Sequence, residues 1–336
     1  MSIQYRLLRP AEEDAAVNLW MRVLETDEHE ARQTFRDFHD APQRFNQAHT
    51  AATRDGQLLA IVCYWLRAVR DGAGGAIRIG HLFHVATEPA ARGQGYATRL
   101  LGVTVDALRA AGCQWAILSA RQEAVALYTR AGWTPASRTY WRGTYATERW
   151  NEALRYVVAQ YDPRRAPHGW EHIAAAYAHA NAQQAGSLIR SADYWSGYAA
   201  WMFGRYLDAY QAVLFTIKER PDSAAIRGYA LVHFYDVGFV VSEVASDPDD
   251  ADVLRDLLNG ILAEAKQRGI PLQGQLTIAA GAATHTILQQ FFGATLHAVD
   301  DTAVHGYPPF MVQPIGDTRE APFAAPGALF WPLDAY

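Results

Sequence analysis

A glycine-punctuated turn, Arg92-Gly93-Gln94-Gly95-Tyr96-Ala97, constrains this chain more than any other stretch because of what flanks it. An apolar run from Ile79 to Thr87 precedes it and ends at Glu88-Pro89. An amphipathic stretch from Thr98 to Ala111 follows, with Leu100, Leu101, Val103, Val105 and Leu108 at mostly helical spacing. The pattern predicts a strand, a tight turn and a helix beginning near Gly95. Such a junction is an anion site. Glycines let backbone N–H groups approach a phosphate, and the positive end of the helix favours its charge.

Composition narrows the field. Half of the 336 residues are hydrophobic and 19% are charged, the balance of a globular protein. The length predicts two domains. No apolar run reaches membrane-spanning length, and Met1-Ser2-Ile3-Gln4 leads into a strand-like segment with no signal-peptide pattern. The expectation is therefore a cytoplasmic protein without a membrane partner. Cys63 and Cys113, the only cysteines, sit in apolar runs and read as buried free thiols. A net charge of −5 argues against a nucleic-acid footprint and favours cationic substrates. The His, Cys and acidic residues show no metal-ligand spacing, so no metal is expected.

Further along, the chain reads Leu127-Tyr128-Thr129-Arg130-Ala131-Gly132-Trp133. Together with the glycine turn at this separation, the element resembles the GNAT superfamily of acetyl-CoA-dependent N-acetyltransferases over roughly residues 75 to 135. The flanks match in order. Ile3 to Leu8 reads as a strand, Ala11 to Leu24 and Glu30 to Phe45 as helices, and Thr50–Arg54, Leu58–Val69 and Ile77–Thr87 as a meander. After the long helix come a strand at Cys113–Ala120, a helix at Gln122–Ala131 and a strand at Thr134–Trp141.

The second half repeats this order without repeating the sequence. Strands are predicted at Arg155–Tyr161, Ala209–Lys218, Ile226–Tyr235, Val237–Ala245, Leu272–Ala279 and from Thr295 onward. Helices are predicted at Gly169–Gln183, Ala192–Tyr206, Asp249–Arg268 and Ala283–Phe292. The expected fold is α/β (α+β): two tandem GNAT domains, each a twisted, mixed, mostly antiparallel sheet flanked by helices. The domains are placed at 1–145 and 146–316, with an apolar tail at 317–336 docked on them. The arrangement resembles the enhanced-intracellular-survival amine acetyltransferases and the mycothiol synthases. In the duplicate, Ser246-Asp247-Pro248-Asp249-Asp250-Ala251-Asp252 stands where the phosphate loop belongs, with four aspartates and no glycine. Such a segment repels a pyrophosphate and reads instead as a helix N-cap. Gln289 stands near the place of Tyr128 and cannot protonate a thiolate. One active site per chain is expected.

The resemblance also assigns roles. The N–H groups of Gly93, Gly95, Tyr96 and Ala97 would hold the pyrophosphate of acetyl-CoA, with Gln94 and Thr98 adding side-chain contacts. Arg92 reads equally as a phosphate contact or a solvated charge. Main-chain groups along Val85, Ala86 and Thr87 would pair with the pantetheine arm, and an N–H there could hold the thioester oxyanion. Tyr128 would protonate the departing thiolate, with a core aromatic whose hydroxyl is satisfied as the alternative. Where the family often has an asparagine seven residues before that tyrosine, this chain has Arg121. His81, sharing a strand face with Phe83 and Val85, reads equally as the first candidate base or as a satisfied strand histidine, with His84 on the opposite face second. The terminal carboxylate of Tyr336 is a third, by likeness to the survival-type enzymes.

The acidic run Glu25-Thr26-Asp27-Glu28-His29-Glu30 reads either as a selector of cationic amines or as a solvated turn. Trp141, Tyr145, Trp150, Tyr194, Tyr198 and Trp201 read as core, with an acceptor cleft as the alternative. The expected reaction is transfer to a primary amine of a small molecule by direct attack in a ternary complex, in a monomer or homodimer. The rival reading is a non-catalytic acyl-CoA-binding sensor or scaffold.

Overall fold

The computed structural model describes residues 3–25, 27–29, 31–32, 47–136, 139–145, 154–276, 282–300 and 309–316. In chain order the first half contributes β1 (Gln4–Leu7), α1 (Glu13–Leu24), β2 (Gln47–Arg54), β3 (Gln57–Arg70), β4 (Ala76–Thr87), α2 (Tyr96–Ala110), β5 (Trp115–Ser119), α3 (Val125–Arg130), β6 (Thr134–Pro135) and β7 (Thr139–Thr144). The second contributes β8 (Val157–Gln160), α4 (Gly169–Ala180), then α5, which runs from Ala192–Tyr194 through a π turn at Trp195–Ala199 into Ala200–Asp208. There follow β9 (Val213–Lys218), β10 (Gly228–Tyr235), β11 (Gly238–Ala245), α6 (Ala251–Gln267), β12 (Gln273–Leu276), α7 (Ala282–Phe292), β13 (His297–Asp300) and β14 (Phe310–Pro314). No helix among the described residues is long and apolar enough to cross a membrane.

Two compact units result: Met1–Val69, Ala76–Ala136 and Pro308–Ala321 form the first, and Arg70–Gly75, Ser137–Tyr307 and Pro322–Tyr336 the second. Each holds a seven-stranded sheet, ordered β1-β2-β3-β4-β5-β14-β6 and β13-β7-β12-β11-β10-β9-β8. The two orders superimpose strand for strand, with one parallel pair in each, β4 with β5 and β11 with β12. The expected Thr134–Trp141 strand is divided. Thr134–Pro135 stays in the first sheet, whereas β7 pairs with β12 and β13 of the second. Reciprocally β14, from the far end of the chain, lies between β5 and β6 of the first sheet. The compact units therefore interleave in sequence.

Local chemistry accounts for the first sheet. Asp55 and Gly56 both take positive φ (51° and 84°) and close a two-residue hairpin that pairs Arg54 with Gln57. The apolar residues of β3 enter two clusters: Leu59, Ala60, Val62 and Tyr64 one, Leu58, Ile61 and Cys63 the other. This strand is thus buried on both faces. Helix α1 covers one face with Ala16, Val17, Leu19 and Trp20. Helix α2 covers the other with Tyr96, Leu100, Leu101, Val105 and Leu108. Its close approach depends on Gly80, where a Cβ would stand 2.3 Å from Leu108. Both cysteines are free and buried, as expected, and burial pushes the Cys113 thiol up to about 11.

Candidate active site

Strand β4, a 3-10 turn at Pro89–Ala91 and helix α2 meet at the glycine turn. Gly93 and Gly95 take φ of 76° and 78°, the left-handed region that a side chain resists. Gly95 is the N-cap of α2; no side chain caps that end and its first turn holds no acidic residue. The first N–H groups of a helix have no intrahelical acceptor. A Cβ at Gly93 or Gly95 would meet nothing within 4 Å, so open space lies over these donors. Charge, hydrogen-bonding capacity and room for a phosphate coincide here.

The side chains of the turn are partly committed. Gln94 accepts a 2.8 Å bond from the Tyr96 hydroxyl, which itself accepts from Arg54 at the end of β2. Arg92 is exposed and reaches Thr87 O at 3.4 Å. Thr98 is exposed on the first turn and Ala97 half-buried. Arg54 was not singled out from the sequence, since its partner lies 42 residues away. It adds a guanidinium beside the anion site.

Beside the turn, β4 parts from β5. The parallel pairing runs from Ile79 with Trp115 to Leu82 with Leu118 and stops. Two residues later His84 takes φ 46°, an uncommon conformation for a side-chain-bearing residue and a bulge in the strand. Along Val85 to Thr87 the β5-side edge of β4 therefore carries no strand pairing among the described residues.

The bulge corrects the expected facing of the two histidines. Leu82 and Val85 pack with the α2-side cluster, and Phe83 and Ala86 with the α1-side cluster. The His84 ring lies 5.4 Å from Trp20 and 5.0 Å from Phe83, so His84 shares the α1 face with Phe83 instead of opposing it. His81 is on that face too, edge-on to Trp65 and only 1% exposed. Val85, expected beside His81, is displaced to the other face by the extra residue. His84 Nδ1 is buried without a hydrogen-bond partner among the described residues, and burial pulls the ring down to about 4. The imidazole is neutral at pH 7.

Tyr128 sits on α3, packed edge-on against Trp133 at 6.2 Å and 6% exposed. It belongs to the same apolar cluster as Leu82 and Tyr96, against which Val85 packs. Burial pushes its phenol up to about 12, which keeps the proton on oxygen across the physiological range. Arg121 is exposed and bonds to Leu24 O at 3.2 Å, tying the loop after β5 to the end of α1.

Of the acidic run, Glu25 ends α1 with φ 58° and Glu28 bonds to Arg32 at 2.9 Å. Arg32 also holds Asp14 and Glu13, which offsets part of the charge of the patch. Thr26 and Glu30, the 317–336 tail with Tyr336, and Trp150 lie outside the described residues.

In the second unit the corresponding positions are filled differently. Val244-Ala245-Ser246-Asp247-Pro248 echoes Val85-Ala86-Thr87-Glu88-Pro89, and among the described residues the β11–β12 pairing runs as far as Val241, as the β4–β5 pairing runs as far as Leu82. That echo places Glu243 where His84 stands. Glu243 is fully buried, bound by both Nη atoms of Arg190 at 2.9 and 2.6 Å and by the Tyr229 hydroxyl. Asp250 caps α6, accepting from Asp252 N at 3.1 Å, as expected of this aspartate-rich segment. Arg227 and His179 both engage Asp247. Gln289 turns back to Gly293 O at 2.8 Å.

Sequence and fold comparisons agree with this geometry. Residues 12–133, within the first unit, match the model of the Acetyltransferase (GNAT) family. A mycothiol acetyltransferase of Sanguibacter keddieii is 30% identical over 145 residues, which span 41% of this chain and 42% of that protein. The match thus extends over less than half of the relative's length. In fold, a conserved protein of unknown function from Enterococcus faecalis aligns with a TM-score of 0.71 at 12% identity, over 94% of this chain and 73% of its own. Eis1 from Mycobacterium abscessus aligns with a TM-score of 0.60 at 17% identity, over 94% and 74%. The shared architecture is that of two mixed sheets flanked by helices.

Proposed function

We propose that the chain is an N-acetyltransferase that moves the acetyl group of acetyl-CoA to a primary amine of a small molecule, with one active site, in the first unit. The observation that carries this reading is the pairing of two features: the open, uncapped start of α2 behind Gly93 and Gly95, and the unpaired edge of β4 beside it. The N–H groups of Gly93, Gly95, Tyr96 and Ala97 hold the pyrophosphate, and Arg54 adds charge next to them. Val85, Ala86 and Thr87 offer main-chain donors and acceptors to the pantetheine arm, as a neighbouring strand would. An N–H of this edge holds the oxyanion as the amine attacks the thioester carbonyl.

The carbon–sulfur bond then breaks, and Tyr128 gives its hydroxyl proton to the departing thiolate, recovering one from solvent. The attacking nitrogen also loses a proton. His84, neutral, set in the bulge and half-buried where His81 is 1% exposed, is the better placed of the two to pass that proton on through water. The second unit supports one site per chain. Its loop is acidic, and the Glu243–Arg190 pair occupies the position of the bulge. The direct test is incubation with acetyl-CoA and a panel of aminoglycosides, polyamines, arylalkylamines and amino acids, with products read by mass. A gain of one acetyl group on one amine class supports the reading. Tight CoA binding with no acetylated amine would favour a binding module instead.

A further inference from the structure

We infer that the second unit carries a binding site for a small oxyanion, a carboxylate or phosphate group, on the face of its own sheet. A cavity of about 440 Å³ opens there, at the end of β11 remote from the acidic 246–252 segment. Its floor is a cross-strand row. Val240, Gln275, Arg142 and His297 are direct neighbours on β11, β12, β7 and β13 and so share one face. No described residue lining the cavity is acidic, in a chain whose net charge is −5.

The polar groups are arranged as donors. Arg142 gives an Nη2 bond to Gln275 Oε1 at 2.7 Å, which fixes the amide so that Nε2 points away from the guanidinium. Gln275 is only 7% exposed, and this Nε2 is buried without a hydrogen-bond partner among the described residues. A buried amide donor left unpaired is costly, and an acceptor-rich ligand removes the cost. The exposed Arg142 keeps further N–H groups in the fork geometry that matches a carboxylate or phosphate. His297 donates Nδ1–H to Thr295 O at 2.8 Å, leaving Nε2 as its remaining hydrogen-bonding atom. A guanidinium, an orphaned amide and an imidazole thus meet in one cavity, and oxyanion oxygens satisfy the first two. The site does not depend on acetyl transfer in the first unit.

The test uses the full-length protein and two probes, inorganic phosphate and citrate, with chloride as the ionic-strength control. The His297 ring resonance, assigned with His297→Gln, reports this cavity and not the glycine turn. The expected result is a saturable shift with at least one probe at a Kd of about 1 mM or below. Whichever probe saturates identifies the oxyanion. Affinity should fall at least tenfold in Arg142→Gln, and binding should vanish in Gln275→Glu, where the new carboxylate takes up Arg142. A shift that chloride reproduces, a response linear in both probes, or undiminished affinity in the folded variants would overturn the site.

Discussion

Two histidines with desolvated rings contribute to the acid limb of stability. Burial lowers both His84 and His233 to about 4, against about 6.5 in an unfolded chain. Between those values the unfolded state binds protons that the folded state does not. Stability is therefore full above pH 6.5 and falls as pH drops towards 4, by on the order of 3 kcal/mol for each ring. Urea unfolding at pH 7.5 and 4.5 measures the loss, and His84→Gln should remove one of the two contributions. Equal midpoints at the two pH values would contradict the burial of these rings. At this scale the sequence was only partly legible. Tyr128, the turn glycines and the cysteines are marked by residue type and spacing. The facing of His81 and His84 is not, because one residue at positive φ shifts every later side chain to the opposite face. Arg54 escaped because its partner is distant along the chain.

The strand-turn-helix element is where sequence and structure agree most closely, since glycine positions and helical spacing are both local signals. At Gly95 the left-handed backbone and the open space make separate demands. Gly95→Val would strain the backbone by roughly 1–2 kcal/mol and place methyl groups in the volume that a phosphate needs. The expected outcome is a loss of CoA affinity of at least tenfold by calorimetric titration, with a cooperative melt retained. Unchanged affinity would mean that phosphates bind elsewhere. The stretch after Gly132 was harder to read. Thr134 to Trp141 has continuous strand character, and its period fixes a pleat but not a partner. The structure divides it between β6 and β7.

Over the whole molecule, the exchange of β7 and β14 makes each sheet depend on both halves of the chain. The residues of a strand fix its pleat but not the sheet it joins, so the exchange is not marked in the sequence. The duplication itself was legible through element order, and the five-residue echo at Val244–Pro248 supplies its register. A fragment of residues 1–145 lacks β14, which leaves β5 and β6 without their shared partner. Such a fragment should show no cooperative unfolding transition by circular dichroism and should bind no CoA. If it folded and bound CoA like the intact chain, the exchanged strand would be dispensable.

The most direct measurement is the initial rate of thiol release from acetyl-CoA with an acceptor amine, wild type beside Tyr128→Phe, from pH 6 to 10. Wild type should release thiol only when amine is present. The rate should rise with pH as the amine loses its proton, without a fall from Tyr128 ionisation, since that phenol is held near 12. Tyr128→Phe should lower kcat by about 10²-fold or more with CoA affinity unchanged. Amine-dependent release that is unaltered in Tyr128→Phe would contradict the proton-donor role, and no binding of CoA by wild type would contradict the site itself.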